Sequence, residues 1–398
     1  MTNPDLMQEF PAADDAQVTL ANWRTAPFNK WAFHHVRELV PSADIANDPE
    51  RISDLSSAPI EFSDFSFEAM GASFGLEAFL SATDTDGVVI LHKGKIAFES
   101  YANGMDANTP HILMSVSKSI LGILAGILVG RGDLVLDQLV TSLIPEVAGT
   151  AYAGATLRDM LDMRVGIQFE ENYAAHSGAI IDYRKAQNWD PLDIGETPTD
   201  LRQFFESLVE TDGAHNDKFH YVSPNTDLLG WVIERASGKP YADLVSELLW
   251  QPMGASHSAY ITVDRLGAPR CAGGFCATTR DLACLGQLIS QGGQREGDQI
   301  IPASWINDIF EHGDAPAWDA GDFAEFFPDQ PIHYRNKCYV LKGQAPMMFG
   351  VGVFGQNLFV DPANEIVIAK FSSQKGALDH GYIDLTMRAV AALRKFIC

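Results

Sequence analysis

Met114-Ser115-Val116-Ser117-Lys118-Ser119 opens the longest apolar run of this chain, and the run continues through Ile120 to Val129. A helix over this stretch puts positions i and i+3 on one face, so Ser115 Oγ and Lys118 Nζ can meet. A serine hydroxyl is a weak nucleophile until a base takes its proton. A lysine can act as that base if burial or a second cation lowers its pKa. The plainer reading is a helix N-terminus with Ser115 as cap and Lys118 reaching solvent. Against that reading, Ser119 to Val129 carries no charge and Ile112-Leu113-Met114 is apolar. A lysine set among such residues is expected to be partly buried, which calls for a partner or a chemical role.

Composition narrows the rest. The chain has 398 residues, 46% hydrophobic and 20% charged, which is ordinary for a large globular core. Its formal net charge of -24 argues against nucleic acid or an anionic membrane as partner. Met1 to Gln17 pairs no basic residues with an apolar segment, so no secretory signal is expected. Ile112 to Val129 holds a lysine and serines and makes a poor membrane span. The five cysteines, Cys271, Cys276, Cys284, Cys338 and Cys398, read as reduced thiols of a cytoplasmic protein. No Cys or His spacing suggests a zinc site, and adjacent His34-His35 read as structural or surface residues.

Residues 1–77 read as an extension that wraps the body, and 78–398 as the main domain. Gly87 to Leu91 and Ile96 to Tyr101, joined through Lys93-Gly94-Lys95, predict a β-hairpin. Thr156 to Met163 predicts a helix capped by Thr156. Further helices are expected over Thr199–Leu208, Thr226–Ala236, Tyr241–Leu249, Thr279–Gln291 and Tyr382–Phe396. Gly350–Phe354, Gln356–Val360 and Glu365–Phe371 read as strands. Strands near both ends must then pair, with a helical insertion between them. That is an α+β, two-lobed architecture: an antiparallel sheet lobe from 78–114 and 285–398, a mainly helical lobe over 115–284, and a cleft between.

A Ser-Lys pair also needs a proton relay and donors for an oxyanion. Tyr221 stands just before an apolar helix and is the relay candidate; a nearby lysine cation would favour partial ionisation of its phenol. One oxyanion donor would be the Ser115 N–H at a helix N-terminus. The second should come from a strand edge, and Gly350-Val351-Gly352-Val353 fits, because glycines let a carbonyl approach the backbone. The alternative for those glycines is a strand packed tightly on a helix.

These residues resemble the serine β-lactamase and penicillin-binding-protein-like superfamily, whose pattern is Ser-x-x-Lys, then Tyr-x-Asn, then Lys-Thr-Gly or a relative. Thr156 to Leu161 and Leu228-Leu229-Gly230 look like it too. The resemblance is closer to the 6-aminohexanoate-dimer hydrolases, the nylon-oligomer-degrading branch. It is carried by Met114 to Ser119, Asn29 to Phe33, Val40 to Ala43, Ser223 to Asp227, Ile261 to Asp264 and Gly355 to Leu358. It implies Ser115 as nucleophile, Lys118 as general base, Tyr221 as proton-transfer partner, and Ser115 and Val353 as oxyanion donors. It further implies that Tyr173 contacts the scissile amide, that Trp189 rides a mobile loop closing over substrate, and that Ser223 and Ala272 line the substrate pocket.

The chain also departs from the superfamily. Ser223 stands where the wider superfamily has Asn, and Gly350-Val351-Gly352 replaces Lys-Thr-Gly. Arg184, Ala272 and Leu378 align with pocket positions of the nylon branch, and none offers an acid to a substrate ammonium. The reading is therefore a serine hydrolase working through an acyl-enzyme on a small amide or ester, with no cofactor, metal, nucleic acid or membrane. A short-chain carboxylesterase, a β-lactamase or DD-peptidase-like enzyme, and a non-catalytic ligand-binding relative stay open as alternatives. A homodimer stays open as the assembly state.

Overall fold

The computed structural model describes residues 6–398; the first five residues of the expected extension lie outside the described residues. Thr85–His92 (β1) and Lys95–Tyr101 (β2) form the expected hairpin. Lys93 and Gly94 at its tip both take positive φ, the two-residue turn whose twist matches the strands. The C-terminal part supplies Ile332–Arg335 (β3), Cys338–Leu341 (β4), Met347–Gly352 (β5), Gln356–Asp361 (β6) and Ile366–Ser372 (β7). The sheet runs β3-β4-β5-β6-β7-β1-β2, antiparallel throughout. β7 pairs with β1, Ile368 opposite Ile90, so the two ends of the chain close one sheet. The fold is α+β, as expected.

The tetrad begins Val116–Arg131 (α1), with Ser115 as the N-cap residue and Gly132 closing it at positive φ. Val116 to Leu128 are all buried, the state of a helix that is apolar all round. α1 packs between β4, β5 and β6 on one side and Ser223–Ser237 (α2) on the other. Thr279–Ser290 (α3) lies on β1, β6 and β7. The boundary expected at 284–285 therefore falls inside a helix that belongs wholly to the sheet. His380–Ile397 (α4) ends the chain. Thr156 caps Leu157–Leu161 through a reciprocal pair with Asp159, as the pattern predicted.

A second sheet went unread. It is ordered Ser42–Ile45, Ala259–Thr262, Phe275–Ala277, His111–Ile112. Its first strand comes from the N-terminal extension, so that segment is built into the body. Trp23, Phe33 and Val36 of the extension share a core with Met114, Trp189 and Phe354. Among the described residues no helix is long and apolar enough to cross a membrane. All five cysteines are unpaired, and only Cys398 is exposed.

Gly122, Gly126 and Gly130 form one row along α1. A Cβ on them would meet the Asn336 carbonyl oxygen, the Trp305 indole and the Pro302 ring respectively. Trp305 Nε1 also donates to the Gly122 carbonyl at 3.1 Å. Alanine in place of a helical glycine gains about 1 kcal/mol of helix propensity. Overpacking against a fixed backbone carbonyl costs about 1–3 kcal/mol or more. Gly122→Ala is therefore expected to lower stability despite the better propensity. A drop in the urea midpoint with unchanged slope is the expected measurement.

Candidate active site

The backbone is strained where the site begins. Met114, buried and not a glycine, holds φ at 45° immediately before Ser115. Such a conformation costs about 1–3 kcal/mol and persists where surrounding packing imposes it. It turns the chain abruptly from the strand His111–Ile112 into α1. Ser115 therefore stands at the helix N-terminus, where unsatisfied N–H groups converge.

Ser115 Oγ and Lys118 Nζ lie 2.8 Å apart. Lys118 Nζ also donates to the Ala272 carbonyl at 2.8 Å. The lysine is almost fully buried, and burial pushes its pKa down to about 7, helped by Arg270 and resisted by Glu171 and Asp227. Its Nζ lies 4.8 Å from the Tyr221 ring centroid. Against burial and Glu171, Ser115 acts on the Tyr221 phenol by lowering its pKa. The expectation of a partly ionised Tyr221 is overturned. Burial, then the Glu171 carboxylate, raises its pKa well above the usual phenol value. Lys118, itself depressed toward neutrality, supplies too little positive charge to reverse that.

The glycines before Val353 make room for the helix. A Cβ on Gly352 would lie 2.7 Å from the Leu113 carbonyl oxygen and 3.0 Å from the Ser115 nitrogen. On Gly350 it would lie 3.1 Å from Ser119 Oγ. The close packing of β5 on α1, the alternative noted from sequence, accounts for both. It also brings the backbone next to Val353 up against Ser115.

Two cavities open beside the pair. The larger, about 1050 Å³, is bordered by Tyr221, Phe323, Leu378 and five carboxylates: Glu170, Glu171, Asp212, Asp322 and Glu325. The smaller, about 450 Å³, is bordered by Val353, Trp189, Tyr183, Arg24, Arg184 and Arg270. Glu171, Tyr173, Ala174 and Ala377 border both. Tyr173 donates to Glu171 at 2.9 Å. Trp189 is a packed wall: it sits edge-on to Trp23, its Nε1 donates to Thr262 Oγ1 at 3.2 Å, and Arg270 lies over its ring. Two pocket expectations change. The Ser223 hydroxyl donates to Glu171, and its N–H does so at 2.6 Å, so this residue positions Glu171 instead of facing a ligand. Ala272, like Ser115 and Lys118, borders neither cavity, and its carbonyl anchors Lys118.

Sequence reasoning missed the groups behind that anchor. Asp227 accepts from the Ala272 N–H at 2.7 Å, from Arg270 at 2.6 Å and from the Tyr183 hydroxyl. The carboxylate thus fixes the Ala272 peptide, and the peptide carbonyl fixes Lys118. Glu171, two residues before Tyr173, was passed over as well. Lys337, in the tight turn between β3 and β4, is fully buried with its Nζ 3.3 Å from Met163 Sδ. Burial, then the charge of Lys118, holds it far below the usual lysine value.

The sequence profile of the Beta-lactamase family matches residues 76–392. The chain belongs to the beta-lactamase family. It is 32% identical over 369 residues to the 6-aminohexanoate-dimer hydrolase of Paenarthrobacter ureafaciens, covering 92% of this chain and 90% of that protein. Esterase EstB of Burkholderia gladioli is 29% identical over 164 residues, 40% of this chain and 41% of its own. A solved Bacillus anthracis structure, named a candidate 6-aminohexanoate-dimer hydrolase, superposes with TM-score 0.86 at 25% identity. The match covers 97% of this chain and 98% of that one. The long relatives share the N-terminal extension with this chain as well as the family core.

Asp227 is wholly buried and Arg270 nearly so. Removing one partner of such a pair leaves an uncompensated charge, at about 3–5 kcal/mol. Asp227→Ala is expected to destabilise by that order in denaturant unfolding.

Proposed function

We propose that this member of the beta-lactamase family is a serine hydrolase that cleaves amide or ester bonds of small molecules through an acyl-enzyme at Ser115. One observation carries the reading: Lys118 Nζ lies 2.8 Å from Ser115 Oγ inside a desolvated pocket that depresses the amine to about 7. At neutral pH a large fraction of Lys118 is then an uncharged base within reach of a hydroxyl. Ser115 Oγ attacks the substrate carbonyl while its proton passes to Lys118. The Ser115 and Val353 N–H groups face the developing oxyanion. Tyr221 keeps its proton and gives it to the leaving amine or alkoxide, being replenished from Lys118. Water repeats the sequence to release the acid and restore the serine.

Amide cleavage is favoured by the acidic cavity beside Tyr221, since an amine leaves as a base and becomes an ammonium at neutral pH. Ester cleavage makes the smaller demand, because an alkoxide needs less help in leaving. The names of the relatives, an amide-dimer hydrolase and an esterase, span both.

Ser115→Ala is expected to abolish hydrolysis of p-nitrophenyl acetate and of the linear 6-aminohexanoate dimer. Lys118→Met should lower kcat/KM by at least about 10²-fold, the usual scale of a positioned general base. Wild-type turnover by the Ser115 variant would refute the mechanism. The pH profile follows from the sign of the Lys118 shift. The neutral amine is the active form, so kcat/KM should rise with pH through about 7 and then level. Tyr221 is raised, so it adds no falling limb in the ordinary range. A rate that falls as pH rises from 6 to 8 would contradict the assignment of Lys118 as base.

A further inference from the structure

The two cavities have opposite charge, and the reaction has two ends. The larger cavity carries five carboxylates at its border, with His220 as its basic group. The smaller gathers Arg24, Arg184, Arg270 and Lys185 against two carboxylates, Glu171 and Asp190, in a chain whose formal net charge is -24. Arg24 pairs with Asp190, and Arg270 with Asp227. Arg184 donates to the Tyr173 carbonyl at 2.9 Å and has no carboxylate partner among the described residues. The Nε–H groups of Arg24 and Arg270 are buried with no acceptor. Arg270 is itself only 6% exposed. The cluster therefore holds positive charge and donors that the protein does not itself satisfy, an arrangement costly unless an anion completes it. Arg24 shows the crowding: burial, then the nearby Arg184 and Arg270, pulls it down to about 10 despite Asp190.

We propose that the arginine-lined cavity is an acyl-group subsite for a carboxylate, so that the enzyme favours substrates whose acyl chain ends in an anion. This rests on the hydrolase reading for its direction. Tyr221, the donor to the leaving group, borders the acidic cavity, and Val353, the oxyanion donor, borders the basic one. The leaving group therefore lies among carboxylates and the acyl chain among guanidiniums. Arg184 is the specificity-determining residue, because its charge is the one no side chain answers. An ω-carboxyacyl amide or ester is the substrate class. The reaction forms the Ser115 Oγ–acyl bond and breaks the bond to the leaving nitrogen or oxygen, which takes the proton from Tyr221. Water then yields a dicarboxylate and restores Ser115.

Three p-nitrophenyl esters with five-carbon acyl chains test this: pentanoyl, glutaryl, and 5-(trimethylammonio)pentanoyl. Each is assayed at low ionic strength against the Ser115→Ala background. Glutaryl is expected to exceed pentanoyl in kcat/KM by at least tenfold, with the cationic ester poorest. Arg184→Gln should bring the glutaryl-to-pentanoyl ratio near one, and Arg184→Glu should invert the order of the charged esters. Calorimetry on the wild-type chain adds a measurement independent of turnover and of the variants' folding: glutarate should bind at least tenfold tighter than the neutral pentanamide. Turnover with no glutaryl preference, or a preference for the cationic ester, overturns the subsite and leaves the hydrolase reading standing. No turnover with glutarate still bound preferentially overturns the hydrolase reading and leaves the anion site standing. Equal binding of glutarate and pentanamide overturns the subsite.

Discussion

The burial of one amine organises this molecule. Lys118 Nζ sits between Ser115 Oγ and the Ala272 carbonyl with almost no access to water. A charged ammonium there would cost several kcal/mol of desolvation, and the group responds by shifting toward neutrality. Every neighbour serves that arrangement. α1 must be apolar all round to exclude water. β5 must be glycine-bearing to press against α1. Asp227 must be charged and paired to hold the Ala272 peptide at the right height. The carboxylates nearby raise the lysine and Arg270 lowers it, so the balance near neutrality is set by residues from three separate stretches of chain.

That dependence explains what could be read from sequence. The tetrad helix, the hairpin at Lys93-Gly94 and the Thr156–Asp159 capping pair are local, and local chemistry specifies each one. The closing of the sheet by its two ends was legible because strands at both termini have no other partners. The second sheet was not legible. Its strands are two to four residues long and come from the extension and the middle of the chain, so no periodicity marks them. The lobe boundary expected near 284–285 falls inside α3 for a related reason: α3 reads as another helix of the helical run, and only its contacts place it on the sheet.

The site shows the same division. Ser115, Lys118 and Tyr221 carry their chemistry in their side chains and were named. Ala272 acts through a carbonyl, which every residue has, so its identity carries no signal for the contact it makes. Glu171, Asp227 and Lys337 looked like ordinary charges; their burial is a property of packing. The sign of the Tyr221 shift was misjudged because a cation was assumed where burial leaves Lys118 near neutral. A tyrosine that keeps its proton has one to give to a departing amine, but the raised pKa makes it a weaker acid, so the transfer depends on the basicity of that amine.

Reactivity and selectivity are built from different parts of this fold. The pair lies at the start of α1, Asp227 lies on α2, and Ala272 lies in the turn before the strand Phe275–Ala277. The cavity walls come from elsewhere: the extension gives Arg24, the segment around 170–190 gives Glu171, Tyr173 and Arg184, and Phe323 and Leu378 come from loops near the C-terminal strands. A change of wall residue can therefore reverse the charge seen by a substrate without moving the amine by an ångström. Arg184 is such a residue, a cation at the border of the smaller cavity with no carboxylate partner among the described residues. Its position means that the electrostatics selecting the acyl chain and the electrostatics tuning Lys118 meet only through Arg270 and Glu171. Of these, Arg270 is held by Asp227, the same carboxylate that fixes the Ala272 peptide, and Glu171 is held by Ser223 and Tyr173. Those two residues are the point at which the choice of substrate and the basicity of the lysine are physically joined.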